Sequence, residues 1–216
     1  MRILIACERS GVVRQAFRNK GHDAWSCDLV PADDNSPYHI QDDVLKHLDD
    51  GWDMLIAHPP CTYLTVTGNK WFKPEFKERF PNRTVQRQEA IEFFLQLARC
   101  PIHKKALENL VGIMSRLYRK PDQIIQPFYF GHIEAKKTCL WLTNLPLLRY
   151  GDAIQMRLGE THPPTLTEVK EPAYTVFKSG KRMATWYVNA TKGKDRSDIR
   201  SRTFDGVARA MAEQWG

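Results

Sequence analysis

No stretch of this 216-residue chain comes near 18 consecutive apolar residues; the best window, Leu140 to Leu148, is interrupted by Thr143, Asn144 and Pro146. That argues against a membrane span. No secretory leader is expected either. Met1-Arg2-Ile3-Leu4-Ile5-Ala6-Cys7 turns charged again at Glu8, too soon for an apolar signal core, so a cytoplasmic protein is expected. Cysteine is sparse: Cys7, Cys27, Cys61, Cys100 and Cys139 are odd in number, widely spread and without a C-x-x-C pair. A disulfide framework would show an even set and a zinc site closer ligand pairs, so reduced thiols and no metal are expected. The balance of 42% apolar and 26% charged residues excludes a disordered or collagen-like chain and suits one sizeable globular domain.

The two ends differ in charge. Residues 1–60 hold 6 basic against 10 acidic side chains, net −4, while the rest hold 26 against 15, net +11. An acidic front suits a neutral or cationic small ligand, and a basic remainder suits a polyanion. Two differently solvated faces would give the same pattern.

Periodicity supplies the organisation. Arg2 to Ala6 reads as a buried parallel strand, Gly11 as a turn, Val12 to Gly21 as a helix, and Asp23 to Asp28 as a second strand closed by an acid. That order begins a doubly wound α/β domain. Asp53 to His58 reads as another buried strand, stopped by Pro59-Pro60, and residues 64–83 as a long polar loop. A helix is expected over Val85 to Cys100, a strand over Lys105 to Glu108 and a short helix over Gly112 to Tyr118. Pro127 to Phe130 and Thr138 to Leu142 read as later strands of an edge hairpin. Periodicity fades from Arg149 to Arg202 and returns in a helix from Phe204 to Trp215.

Three places carry chemistry. Gly11 and Asp28, some 17 residues apart, have the pattern of a nucleoside site, in which the acid holds a ribose diol. A tight turn and a solvated Asp fit equally well. Cys61 follows Pro59-Pro60 at the carboxyl edge of the sheet, where α/β proteins bind ligands and where a thiol can act as nucleophile. Glu108 ends a buried strand beside Asn109, a costly place for a carboxylate unless it meets a partner, and one where it can carry a raised pKa and protonate a substrate nitrogen. A structural Glu–Asn pairing is the other reading.

Taken together, Ala6-Cys7-Glu8-Arg9-Ser10-Gly11, His22 to Asp28, Ala57-His58-Pro59-Pro60-Cys61-Thr62-Tyr63-Leu64-Thr65, Glu108-Asn109 and Arg200 to Trp215 resemble the cytosine-C5 DNA methyltransferase family, and in particular its small phage- and prophage-encoded members. The resemblance spans nearly the whole chain. It implies a Rossmann-like α/β methyltransferase fold, S-adenosylmethionine as cofactor and DNA, duplex or single-stranded, as partner. It also implies a catalytic core over 1–148, a short basic recognition segment over 149–200 and a C-terminal helix over 201–216 returning to the core. Cys61 falls on the catalytic thiol, Glu108 on the catalytic Glu, and Lys136 on the place of the first Arg of the family's Gln-x-Arg-x-Arg motif. Ala6, Glu8, Ser10, Gly11, Asp28, Asp43 and Pro59 fall on the cofactor site. The basic segment, in which Lys181, Arg182, Trp186, Arg200 and Arg202 mix cations with a stacking ring, suits nucleic acid.

The chain departs from the family at three points. Glu8 replaces the first glycine of the cofactor loop, Ala135-Lys136-Lys137-Thr138 lacks both arginines, and only about 50 residues separate Leu148 from Arg200, too few for a target-recognition domain. Two other readings follow: the same thiol chemistry on a nucleotide, on RNA or with a modified cofactor, and a catalytically silent nucleic-acid-binding relative.

Overall fold

The computed structural model describes residues 1–151, 169–190 and 202–216. Its centre is a seven-stranded sheet built from β1 (Arg2–Ala6), β2 (Asp23–Asp28), β3 (His39–Gln41), β4 (Met54–Ala57), β5 (Lys104–Leu110), β6 (Gln123–Ile125) and β7 (Thr138–Thr143). The order across the sheet is β3-β2-β1-β4-β5-β7-β6. Strands β1 to β5 pair in parallel, and β7 runs antiparallel to both β5 and β6. The order reverses between β1 and β4, which makes their carboxyl ends the topological switch point of a doubly wound, Rossmann-like sheet. The α/β fold class expected from the sequence is the one observed.

The central strands are buried on both faces, which explains their continuous apolar runs. Ile3, Ile5, Met54, Ile56 and Leu140 point to one face, covered by α1 (Val12–Arg18) and by the C-terminal helix through Val13, Phe17, Val207, Met211 and Trp215. Leu4, Leu55, Leu107 and Trp141 point to the other, covered by α2 (Arg83–Arg99) and α3 (Met114–Leu117) through Phe94, Leu97 and Met114. Each large apolar side chain sealed in this way contributes roughly 1.5–3 kcal/mol.

Two expectations need correction. Pro127–Phe130 is a single helical turn, not a strand: Pro127 opens it, and Gly131 closes it in the left-handed region at φ 86°. The strand that completes the edge beside β7 is Gln123–Ile125. The stretch after Cys61 is not featureless either, since helical turns occupy Val66–Phe72 and Pro74–Phe76. Within the basic segment, β8 (Tyr174–Val176) and β9 (Arg182–Ala184) form a hairpin that leads into α4 (Thr185–Ala190). The last helix, α5, spans Asp205–Trp215. Among the described residues no helix is long and apolar enough to cross a membrane.

Candidate active site

Register brings the candidate residues together. Ala6, Ala57 and Leu107 are neighbours across β1, β4 and β5, so the chain leaves all three strands at one level. The next residues of β4 and β5 are His58 and Glu108, and their side chains meet: His58 Nδ1 lies 2.9 Å from Glu108 Oε2. Both side chains are 12% exposed, so water screens the pair poorly. His58 Nε2 is buried and has no hydrogen-bond partner among the described residues.

Two further charges reach this pair. Glu8, 4% exposed, turns its carboxylate inward and accepts the N–H groups of Val13 at 2.7 Å and Arg14 at 3.1 Å. Lys136, 8% exposed, lies just before β7, with Nζ 5.9 Å from the centre of the Phe204 ring. Burial, the largest influence on each group, raises the Glu8 carboxyl above its usual range despite His58 and the two backbone donors. Burial also opposes charge on His58 and Glu108. Their mutual attraction and hydrogen bond outweigh it, with Glu8 aiding His58 and Lys136 aiding Glu108. His58 is therefore held above the ordinary imidazole value and Glu108 below the ordinary carboxyl value, which favours the imidazolium–carboxylate form of the pair.

Glu108 and Lys136 line a cleft with Ile125, Pro127, Thr138 and Phe204. The free space at its centre is about 10 Å3, room for about one water.

The Cys61 turn is fixed to the same region. Asn109, next to Glu108, donates from its side-chain amide to the Pro59 carbonyl at 2.8 Å. Leu64 and Thr65 donate their N–H groups back to the Cys61 carbonyl, both at 3.1 Å. Beyond the turn, Ile113 N–H meets the Leu64 carbonyl at 2.9 Å and Val66 N–H the Val111 carbonyl at 3.2 Å. The two strands of this clasp touch at Gly112, where a Cβ would sit 2.1 Å from the Leu64 carbonyl oxygen. Two guanidinium groups brace the turn from α2: Arg83 Nη2 donates to the Thr62 carbonyl at 3.4 Å and Arg87 Nε to the Tyr63 carbonyl at 2.9 Å. Arg87 also stacks 3.4 Å from the centre of the Phe72 ring. The Cys61 thiol itself is half-buried.

The residues assigned to a cofactor lie along the edge formed by β1, β2 and β3. Asp28 ends β2 half-buried and accepts the Val30 N–H at 3.2 Å, while Asp43 caps the helical turn Val44–His47 through the Leu45 N–H at 3.0 Å. Both carboxylates reach the Cys7 thiol, which burial first and these charges second push far above the ordinary thiol value. Ala6 is sealed in the sheet, Pro59 is buried, and the Ser10 hydroxyl lies 3.4 Å from a Glu8 oxygen. Gly11 adopts φ 69°, which α1 needs at its entry. The room a Cβ would require there is filled by the guanidinium of Arg14. Arg14 is fully buried and pairs with Ser26 and Asp34.

The basic segment runs beside the Lys136 loop. Lys170 N–H bonds the Phe128 carbonyl, Ala173 N–H the Ile133 carbonyl, and the Trp186 indole donates to the Ala135 carbonyl at 2.9 Å. Trp186 is thus an anchor against the loop that carries Lys136, and its ring also meets Phe204 edge-on. Lys181, Arg182 and Arg202 are exposed, with Arg182 lying over the Tyr174 ring at 4.6 Å. Arg200 lies outside the described residues.

Sequence reading overlooked His58 and Arg14. A titratable residue ending an otherwise apolar strand, next to the strand that carries Glu108, was the available signal for His58. Nothing in the α1 pattern singles out Arg14 from a solvated arginine.

No protein-family model matches this chain, and no curated protein matches it. A solved structure of a protein classed as a DNA modification methyltransferase encoded within an E. coli prophage is similar in fold, with a TM-score of 0.45 and 14% sequence identity. The similarity covers 68% of this chain and 49% of that one, so the chain matches about half the length of that structure.

Proposed function

We propose that the protein is an S-adenosylmethionine-dependent methyltransferase that modifies C5 of cytosine in DNA through a covalent adduct with Cys61. The observation that supports this best is the Asn109–Pro59 hydrogen bond. It ties the turn bearing the thiol to the strand bearing Glu108, so that a nucleophile and a proton-handling carboxyl stand at one sheet edge.

C5 of cytosine is a weak nucleophile. Addition of the Cys61 thiolate to C6 forms a C–S bond and pushes an electron pair toward C5 and the ring nitrogen N3, which must be met by a proton. Glu108 would manage that proton. Once C5 carries the new methyl group, its proton passes to a base, the C6–S bond breaks to expel the Cys61 thiolate, and the ring nitrogen gives its proton back. A base within a duplex must first leave the stack, and the cleft at Glu108 must widen to receive it, displacing Phe204 or the Lys136 loop.

S-adenosylmethionine, when bound, supplies an electrophilic methyl group on a cationic sulfonium. The chain fits such a group in one respect: Asp28 and Asp43 flank the turn after β1, an acidic setting for a ribose diol and a cationic tail. DNA would lie along the exposed cations Lys181, Arg182 and Arg202, beside the Lys136 loop. The test is nucleoside mass spectrometry of DNA from cells expressing the wild type or Cys61→Ala. 5-Methylcytosine is expected with the wild type alone, and its absence from both would defeat the assignment.

A further inference from the structure

We propose that the acid of this site is a two-residue unit in which His58 stores the proton that Glu108 delivers, so that His58 is a positioning residue for the carboxyl group. The inference rests on the proposed function for its substrate, but the pairing itself stands on geometry. Parallel register pairs Ala57 with Leu107, so His58, just past the end of β4, stands level with Glu108 of β5. The Nδ1–Oε2 contact of 2.9 Å is that of a charge-assisted hydrogen bond. Both side chains are nearly sealed from water.

Charged groups among the described residues reach His58 from three parts of the chain. Glu108 comes from β5, Glu8 from the loop after β1, and Lys136 from the loop before β7, with Arg14 acting behind Glu8. Glu108 foremost, and Glu8 after it, favour a proton on the imidazole, and Lys136 opposes it. A lone Glu at this strand end would be pushed upward by burial. With His58 beside it, Glu108 is ionised and the proton resides on Nδ1. Residence there changes when negative charge develops on a base ring nitrogen. The Nδ1–H bond breaks, the carboxyl group relays one proton, and an N–H bond forms on the substrate. His58 is left neutral and Glu108 a carboxylate. The unit goes from net zero to −1 as the substrate loses one negative charge, so the step balances.

The alternative role is a structural one, in which His58 merely fills the strand end and any hydrogen-bonding side chain would serve. Two measurements on the full-length protein separate them. The first is nitrogen-15 NMR of selectively labelled histidine in the wild type and in Glu108→Gln. The His58 imidazolium is expected to persist above the ordinary value in the wild type and to titrate lower by about one pH unit or more in the variant. A His58 titration unaffected by Glu108→Gln overturns the shared proton.

The second is the pH profile of covalent trapping on DNA containing 5-fluorocytosine, for the wild type, His58→Asn and His58→Gln. The Asn variant keeps an N–H near Glu108 but has no proton to release. Trapping at pH 7.5 is expected to slow by about ten-fold or more in both variants and to recover as the pH is lowered, because Glu108 then carries its own proton. A wild-type rate and profile in a folded variant overturns the proposal. Should both variants fail to fold, the wild-type and Glu108→Gln titrations decide it. Trapping absent in the wild type, with the histidine titration as expected, contradicts the cysteine reaction and leaves the shared proton standing.

Discussion

Replacing Gly112 by Ala isolates the clasp that holds the Cys61 turn. The backbone of Gly112 is not in the left-handed region, so alanine meets no conformational penalty there. The whole effect comes from contact. An added Cβ would lie 2.1 Å from the Leu64 carbonyl oxygen, 2.9 Å from its carbon and 3.1 Å from the Thr65 Cα, all of them backbone atoms that cannot swing aside. The strands of the clasp must separate, which endangers the Ile113–Leu64 and Val66–Val111 hydrogen bonds. Overpacking costs about 1–3 kcal/mol, and two backbone bonds contribute about 1 kcal/mol each. A loss of about 3 kcal/mol follows when only part of the clasp opens. For a chain of this size that lowers Tm by about 6–12 °C. Thermal unfolding followed by circular dichroism measures it. A Tm within about 2 °C of the wild type would show that the loops do not meet at Gly112, and the argument that β5 positions the thiol would fail with it.

Other outcomes follow from the same geometry. Asp28→Ala should weaken S-adenosylmethionine binding about ten-fold in calorimetry, the loss expected when a charge-assisted hydrogen bond is removed, and an unchanged affinity would take Asp28 out of the site. Iodoacetamide at pH 8 should modify Cys61 well before Cys7, Cys27 or Cys139, because burial pushes Cys27 and Cys139 up to about 11 and Cys7 higher still. Peptide mapping that finds any of those three labelled first contradicts this. The His58–Glu108 attraction should stabilise the fold most between the ordinary carboxyl value of 4.5 and the ordinary imidazole value of 6.5. It is lost as pH falls through the lowered Glu108 value and as pH rises through the raised His58 value, so urea midpoints of the wild type and His58→Asn should differ most inside that window. DNA affinity should fall steeply with salt, with a slope near −0.9 per neutralised phosphate, and a salt-insensitive affinity would contradict a basic docking face.

How far the fold could be read depends on burial. β1 and β4 stand out in the sequence because both of their faces are covered and their runs are almost wholly apolar, whereas β2 and β5 mix polar residues among buried ones; β2 falls at Asp23–Asp28 as expected. β3 and β6 were not legible. Each is a three-residue edge strand, β3 has no buried side chain and β6 has only Ile125, so neither carries a pattern. Pro127 to Phe130 is apolar enough to pass for a strand, and only the Pro127 and Gly131 that bracket it mark a turn. At the site, Cys61 and Glu108 could be singled out because each sits at a strand end, and Lys136 through the family resemblance alone. Their relation to His58 could not, since it depends on which strands lie side by side. Residues 64–83 read as a long loop because they are polar and punctuated by Pro and Gly. Its Trp71, Phe72 and Phe80 instead gather Lys70, Arg79, Arg83 and Arg87 against their rings, an arrangement visible only in three dimensions.

The central claim is that Cys61 attacks C6 of cytosine in DNA, and 5-fluorocytosine tests it most directly because the fluorine at C5 cannot leave as a proton does. Duplex and single-stranded DNA carrying that base, incubated with protein and S-adenosylmethionine, should give an adduct that survives denaturant and maps by mass spectrometry to Cys61. Cys61→Ser should abolish it, while Cys7→Ala, Cys27→Ala, Cys100→Ala and Cys139→Ala should preserve it. An adduct on another cysteine, or none on either form of DNA while the cofactor binds, would contradict the account.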